Sequence, residues 1–266
     1  MGVLDNKTAI VTGGGTGIGL AIAKRYLGEG AHVVICGRRE EKLIEAVESI
    51  SEGKERISYI SADITREEDI NRVVGFTVEK TERIDILVNN AGIMRFKKLE
   101  NSDPDLWDMT LKTNTYAPWR FMVAVLPAMR KVGGGSIINI SSIAGLKPFP
   151  GVGIYCMSKA ALHMITQVMA VEVATDKIRI NAICPAVVEN TELSLPIFGE
   201  EGAQKYYEEM RLLQPLKRNG KPRDIADGAL FLASDQSSWI TGVLLSLDGG
   251  RHLATNRPPA VLATDG

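Results

Sequence analysis

Seven short runs rich in valine and isoleucine, at 8–11, 31–36, 57–60, 84–88, 136–140, 178–183 and 243–247, constrain the fold of this chain most. Within them apolar residues follow one another without the strict alternation of a strand that shows one face to water. That is the pattern of strands buried on both faces. Between the runs lie segments such as 17–29 and 67–81, where apolar residues recur at three- and four-residue intervals, as helices packed by one face require. The alternation predicts an α/β fold: a doubly wound, seven-stranded parallel sheet with right-handed crossovers and helices on both sides.

With 45% hydrophobic residues in 266, the chain has material for a substantial core, and collagen-like or largely disordered readings are excluded. No internal repeat, Pro/Ser-rich linker or block of like charge divides it, so one domain over 1–250 is expected, followed by a tail at 251–266. The segment 189–214, with Pro196 and Gly199, reads as a substrate-binding loop. Lysine and arginine number 31 against 32 acids, leaving no net field to recruit nucleic acid or an anionic membrane. No stretch approaches the ~18 to 20 apolar residues that span a bilayer, and MGVLDNK lacks the order of a signal peptide. Three scattered cysteines, Cys36, Cys156 and Cys184, suit a reducing compartment, and a cytoplasmic protein is expected. His32, His163 and His252 have no metal-ligand spacing, so no metal is assigned.

The first run leads directly into TGGGTGIG at 12–19 and then a helix. A glycine cluster alone fits any tight turn. Between a strand and a helix, however, glycines let the backbone approach a pyrophosphate resting on the helix N-terminus. Gly13, Gly17 and Gly19 are the candidates, with Thr16 and Ile18 in the same turn. Some ~20 residues on, a ribose with a free 2′-hydroxyl calls for an acid. Here the chain reads Cys36-Gly37-Arg38-Arg39. A guanidinium offers a 2′-phosphate a planar fork of donors, so NADP(H) is expected, with Arg38 on the phosphate and Arg39 stacking on adenine. The alternative is that both arginines pair with Glu40 and Glu41.

Four further pieces follow in order: Asp63, Asn89-Asn90-Ala91-Gly92, Ser141-Ser142 and Tyr155-Cys156-Met157-Ser158-Lys159. Together with TGGGTGIG, this set closely resembles the short-chain dehydrogenase/reductase family, from about Leu4 to Leu247-Asp248-Gly249-Gly250. Tyr155 and Lys159, four residues apart, share a helix face. A lone pair at this spacing also fits an exposed helix surface. A free phenol has a pKa near ~10, and a neighbouring ammonium is expected to lower it toward working pH.

The resemblance makes Tyr155 the general acid/base, Ser142 a donor to the substrate oxygen, and Lys159 the holder of the nicotinamide ribose. Asn114 is implied as keeper of a water-linked proton path to the lysine. Asp63 and Ile64 are implied at the adenine, and Asn90, Ala91 and Gly92 along the ribose side. After the sixth strand, Pro185 and Val188 match the family's nicotinamide contacts. Ala186 stands where the family has glycine, and Thr191 falls one place late, with Asn190 in its slot.

The implied activity is hydride transfer between NADP(H) and a ketone or secondary alcohol by a homotetramer or dimer. Met164, Ile165, Val168 and Met169 supply apolar helix surface for such an assembly. Substrate recognition is expected from 143–153, 189–214 and the Met94-Arg95-Phe96 stretch. Trp107 and Trp119 read as helix-packing residues and Cys156 as a small buried side chain. Reduction of 3-oxoacyl thioesters is the alternative chemistry. Thr175-Asp176-Lys177 stands against it, at a turn where acyl-carrier-protein reductases tend to present arginine. A non-catalytic nucleotide sensor on the same fold is the alternative from another class.

Overall fold

Neighbouring residues of a strand point to opposite faces of its sheet, and here both faces are core. In β1 (Thr8–Thr12), Ala9 and Val11 join one apolar cluster and Ile10 the other. β4 (Ile86–Asn89) repeats this with Ile86 and Val88 against Leu87, and β5 (Gly135–Ile140) with Ile138 and Ile140 against Ile137. The computed structural model, which describes residues 2–191 and 195–254, adds β2 (His32–Gly37), β3 (Ile57–Ser61), β6 (Ile178–Pro185) and β7 (Leu244–Leu247). The sheet runs β3-β2-β1-β4-β5-β6-β7 with every pair parallel. This is the single-domain, Rossmann-type architecture that the apolar runs predict.

One cluster is covered by α1 (Gly17–Gly28), α2 (Glu40–Glu48) and α8 (Pro222–Ala233), through Ile22, Tyr26, Leu43, Ile225 and Ala229. Tyr26 donates its hydroxyl proton to the Ala229 carbonyl at 2.9 Å, satisfying the one polar atom of a fully buried ring. The other is covered by α3 (Glu67–Thr81), α5 (Ala117–Lys131) and α6 (Gly153–Glu172), through Val73, Phe121, Val125 and Ala170. Two asparagines sit in register inside this sandwich. The Asn89 amide donates to Asn139 Oδ1 at 2.9 Å, and the Asn139 amide to Thr166 Oγ1 at 2.9 Å. Buried polar groups need such partners.

Strand order reverses at β1, which has β2 on one side and β4 on the other, so the loops leaving β1 and β4 diverge around a crevice. Thr12 and Asn90 stitch those loops together. The Thr12 hydroxyl accepts from the backbone of Asn90 (2.9 Å) and Ala91 (3.0 Å), and the Asn90 amide donates to the Thr12 (2.9 Å) and Gly13 (3.2 Å) carbonyls.

Two segments differ from expectation. Most of 189–214 is not an irregular loop but a helix, α7 (Leu195–Leu213), broken at Gly199 (φ 66°). Pro196 sits in its first turn, where a missing N–H costs nothing, and Ala203, Tyr207, Met210 and Leu213 carry the helical period beyond the break. Residues 192–194 of that segment lie outside the described residues. The chain after Gly250 stays packed for four residues: Lys147 Nζ donates to the His252 and Ala254 carbonyls, each at 3.4 Å. The remainder of the expected tail, 255–266, lies outside the described residues. Between α4 (Pro104–Leu111) and α5 the helix widens into a π turn, Lys112–Tyr116.

Candidate active site

A cleft of about 830 Å³ opens at the carboxyl ends of the strands, around the β1/β4 switch point. At its glycine-turn end the wall is formed by Gly13, Thr16, Gly17, Ile18, Arg38, Arg39, Asp63, Ile64, Asn90, Ala91 and Gly92, with Pro185 and Val188 facing them. Gly19 is expected at the same place but lies beneath the turn. A side chain there would put Cβ 2.2 Å from the Gly13 carbonyl oxygen, so this glycine permits close packing of α1 on β1. Gly13 has φ 63°, a left-handed conformation that favours glycine, and its Cβ would lie 2.9 Å from Asn90 Nδ2. The glycine turn is a shaped cradle at the start of a helix, with backbone on one side and open cleft on the other.

Asp63 is fixed rather than loose: its Oδ1 accepts from Thr65 N (3.0 Å) and Thr65 Oγ1 (2.8 Å), and its own N–H donates to Asp69 (2.8 Å). That N–H, helped by Arg72, holds the Asp69 carboxyl below the usual range. Arg38 is exposed at the rim, and among the described residues no ion pair engages it. Thr191 lines the cleft and donates its hydroxyl proton to the Val188 carbonyl at 3.1 Å, so the displaced threonine still faces Gly17 across the opening.

Ser142, Tyr155 and Lys159 meet on the wall formed by β5 and α6. Tyr155 and Lys159 are one turn apart near the start of α6 and are 8% and 4% exposed. Lys159 Nζ donates to the Ile140 carbonyl at 3.0 Å and lies 5.7 Å from the centre of the Tyr155 ring. Ser142 caps a short turn, accepting from Ala144 N at 3.1 Å, which aims its side chain at the cleft.

Burial governs the titration of this wall. It pushes the Tyr155 phenol up to about 12, opposed by the Ser142 side chain. It pushes Lys159 down to about 8. The expected lowering of the phenol by the ammonium is therefore corrected. In the protein alone desolvation outweighs the charge, because Nζ is turned to Ile140 and lies over the ring face.

Asn114, fully buried in the π turn, does not line the cleft. Its amide donates to the Ile93 carbonyl (2.8 Å) and Ser158 Oγ (3.1 Å), and its Oδ1 accepts from Ile93 N (2.9 Å). Ser158 in turn donates to the Tyr155 carbonyl at 2.8 Å. Asn114 thus braces the chain beside Gly92 against the tyrosine turn. Its Oδ1 and Lys159 Nζ flank one point beside Gly92, 3.2 and 3.6 Å from it.

Sequence reasoning misses His163. Its Nε2 lies 2.7 Å from Ser141 Oγ and 3.3 Å from Cys184 Sγ, and burial, reinforced by Lys159, pushes its pKa down to about 4. A neutral imidazole therefore pins the serine turn to β6. The packing of α6 on the paired β5 and β6 brings these residues together, so spacing alone carries no signal for it.

The other end of the cleft is largely apolar, with Met94, Phe96, Phe149, Val152, Tyr206, Met210 and Leu213, together with Arg95, Gln214 and Arg251. The expected stretches 94–96, 143–153 and 189–214 all contribute. Cys156 is half-buried rather than buried, its Sγ 3.9 Å from the Phe149 carbonyl. Trp107 and Trp119 are also more open than packing residues would be, at 37% and 38% exposed. Among the described residues, no group of three or more histidine, cysteine or acidic side chains gathers as metal ligands, and no helix is long and apolar enough to cross a membrane.

Comparison with known proteins agrees with this geometry. The family model described as enoyl-(acyl carrier protein) reductase matches residues 13–252. The 3-oxoacyl-acyl-carrier-protein reductase of Chlamydia trachomatis is 38% identical over 250 residues, covering 94% of this chain and 98% of that one. An uncharacterized oxidoreductase of Thermotoga maritima is 36% identical over 92% of this chain and 97% of its own. Dehydrogenase/reductase SDR family member 4 of Homo sapiens is 35% identical over 93% and 88%. Matches of this extent place the chain in the short-chain dehydrogenase/reductase family of oxidoreductases.

Proposed function

We propose that this protein is an NADP(H)-dependent oxidoreductase that interconverts a ketone and a secondary alcohol, with Tyr155 as general acid/base. The carrying observation is the position of the Tyr155 phenol. It is buried beside Ser142 and Lys159, where the glycine-turn end of the cleft meets the apolar end.

The glycine cradle fits a dinucleotide. Gly13, Thr16, Gly17 and Ile18 at the α1 N-terminus hold the pyrophosphate, with Gly19 giving the turn its shape. Arg38 takes the 2′-phosphate and Arg39 the adenine face, alongside Asp63 and Ile64. Asn90, Ala91 and Gly92 follow the ribose, while Pro185 and Val188 border the nicotinamide. When bound, the cofactor supplies a hydride to a carbonyl carbon or accepts one from a carbinol carbon. Ser142 donates a hydrogen bond to the substrate oxygen as negative charge grows there. Tyr155 gives that oxygen its proton. A phenol pushed up to about 12 is fully protonated at neutral pH, which suits the reductive direction. Lys159 orients the ribose and Asn114 fixes the tyrosine turn.

A panel of ketones and secondary alcohols, followed by NADPH oxidation or NADP reduction, tests this reading. Turnover of at least one carbonyl is expected. Tight NADPH binding with no turnover of any would favour a nucleotide sensor instead. NADPH is expected to exceed NADH, and Arg38→Ser to cut kcat/KM for NADPH by about 10- to 100-fold while sparing NADH. NADH equal to NADPH in the unmodified enzyme would remove the assignment.

The Chlamydia trachomatis relative favours a second reading, 3-oxoacyl thioester reduction. Against it, Asp176 after α6 pairs with Arg130 at 2.8 Å, which quenches a cation where an acidic carrier would dock. A thioester arm in the same panel separates the two. We assign a homotetramer, or a dimer, on the exposed apolar surface of α4, the π turn, α5 and α6, including Trp107, Tyr116, Trp119, Met164 and Val168. Ile165 and Met169 turn inward instead. Sedimentation should give a multimer; a stable monomer would overturn the assembly. The three free cysteines suit a cytoplasmic setting.

A further inference from the structure

The apolar end of the cleft contains a guanidinium, that of Arg251, which no carboxylate among the described residues pairs with. Arg251, just beyond β7, is 9% exposed, and its Nη1 is buried without a hydrogen-bond partner. A guanidinium stays charged at any working pH, and a buried charge without a partner is costly.

The surrounding groups do not neutralise it. Asp248, the nearest acid in sequence, is spent on its own turn: Gly250 N (3.0 Å) and His252 N (2.7 Å) donate to it, and His252 Nδ1 lies 2.6 Å away. Lys147 adds a second positive charge on this side, its Nζ 5.8 Å from the Phe149 ring centre. Burial raises the Tyr206 pKa, so that phenol is neutral. Among the described residues lining the cleft the sole carboxylate is Asp63, which follows β3 at the opposite end. A second polar atom here is equally unanswered: Gln214, 2% exposed, has an Oε1 with no donor.

Arg251 also has a structural connection to the reacting centre. Its guanidinium carbon lies 6.0 Å from the centre of the Phe149 ring, and Phe149 packs in the small apolar cluster that holds Val152 and Tyr155. The cleft therefore presents, in order, a proton-bearing phenol, an apolar wall and a desolvated guanidinium.

From this arrangement we propose that the substrate carries a carboxylate, bound by Arg251, at the end of an apolar body whose carbonyl or alcohol lies at Tyr155. The inference deepens the oxidoreductase reading and rests on it. A carboxylate in the cleft accepts charge-assisted hydrogen bonds from the guanidinium edge that lines it and neutralises the buried charge. An ester of the same acid matches the apolar wall but not the cation.

The test compares a homologous series of straight-chain oxo acids with their methyl esters, using NADPH. For at least one chain length the acid should exceed its ester in kcat/KM about tenfold or more. Arg251→Gln should lower that acid-to-ester ratio by about 10- to 100-fold, mainly through KM, and Arg251→Lys should keep part of it. Because acid and ester are compared within each variant, partial loss of folded enzyme cancels.

A binding arm needs no turnover: hexanoate should raise the Tm of the NADPH-loaded wild type and leave that of Arg251→Gln unmoved. Esters equal to acids at every chain length would overturn the proposal, as would an equal loss on both in Arg251→Gln. If hexanoate binding depends on Arg251 while no oxo compound turns over, the anion site stands and the oxidoreductase reading falls. If esters are reduced and hexanoate binds both proteins alike, the reverse holds.

Discussion

Replacing Tyr155 with phenylalanine is expected to lower turnover about a thousandfold while leaving NADPH affinity within about twofold. The substitution removes one oxygen from a ring that is 8% exposed and packed with Ala144 and Val152, so the cavity it leaves is small and the α6 turn keeps its shape. Asn114 and Ser158 still brace that turn, because their bonds run to the backbone and not to the phenol. Only the proton on the substrate oxygen is lost. A large drop in kcat with little change in cofactor Kd, measured by NADPH fluorescence titration, is the outcome required. Near-normal kcat would show that another group, Ser142 or water, moves the proton.

Lys159→Met should separate activity from stability in the opposite sense. Turnover should fall by about a hundredfold or more, since ribose orientation and the charge beside the phenol go together. The empty protein should nevertheless become more stable at neutral pH. Burial pushes Lys159 down to about 8, so the folded protein releases that proton while the unfolded chain keeps it to near 10.5. Between those values the unfolded state binds more protons, and wild-type stability therefore rises with pH through the window. The penalty for the buried charge is fully present below pH 8 and amounts to about 3 kcal/mol. Loss of the 3.0 Å bond to the Ile140 carbonyl returns about 1 kcal/mol of this, leaving a net gain of about 2 kcal/mol. Urea melts of both proteins from pH 7 to 10.5 check it. The variant's advantage should shrink as pH rises and reverse near the top of the range, where only the lost bond remains; a constant difference would contradict the buried-charge account.

The central strands are legible in the sequence because each serves two cores, which forces apolar residues into consecutive positions. The turn at 12–19 and the proximity of Tyr155 and Lys159 are legible because their geometry depends on short spacings that survive any detail of packing. What is not legible depends on distant contacts. α7 is hidden by Pro196 and Gly199, which mimic a loop although one lies in a first turn and the other at a break. His163 gains its partners, 22 and 21 residues away, only through the packing of α6 on the sheet. Spacing places Lys159 near Tyr155 but does not reveal that both are desolvated, and so it misjudges which influence prevails. Arg251 follows Asp248-Gly249-Gly250 as one charged residue among many, and only its burial beside Phe149 gives it meaning.

The division of every central strand between two cores also determines where this architecture tolerates insertions and deletions. Loss of one residue within β1, β4 or β5 would exchange the two inward-facing sets at once and misfit both layers, so the sheet resists changes of length. The β6–α8 crossover and residues 248–254 have no such coupling, since they lie outside the sheet. Those two segments carry Met210, Gln214 and Arg251. A lineage built on this frame is thus free to change the compound it handles by lengthening or trimming them, with the glycine-turn end of the cleft left in register.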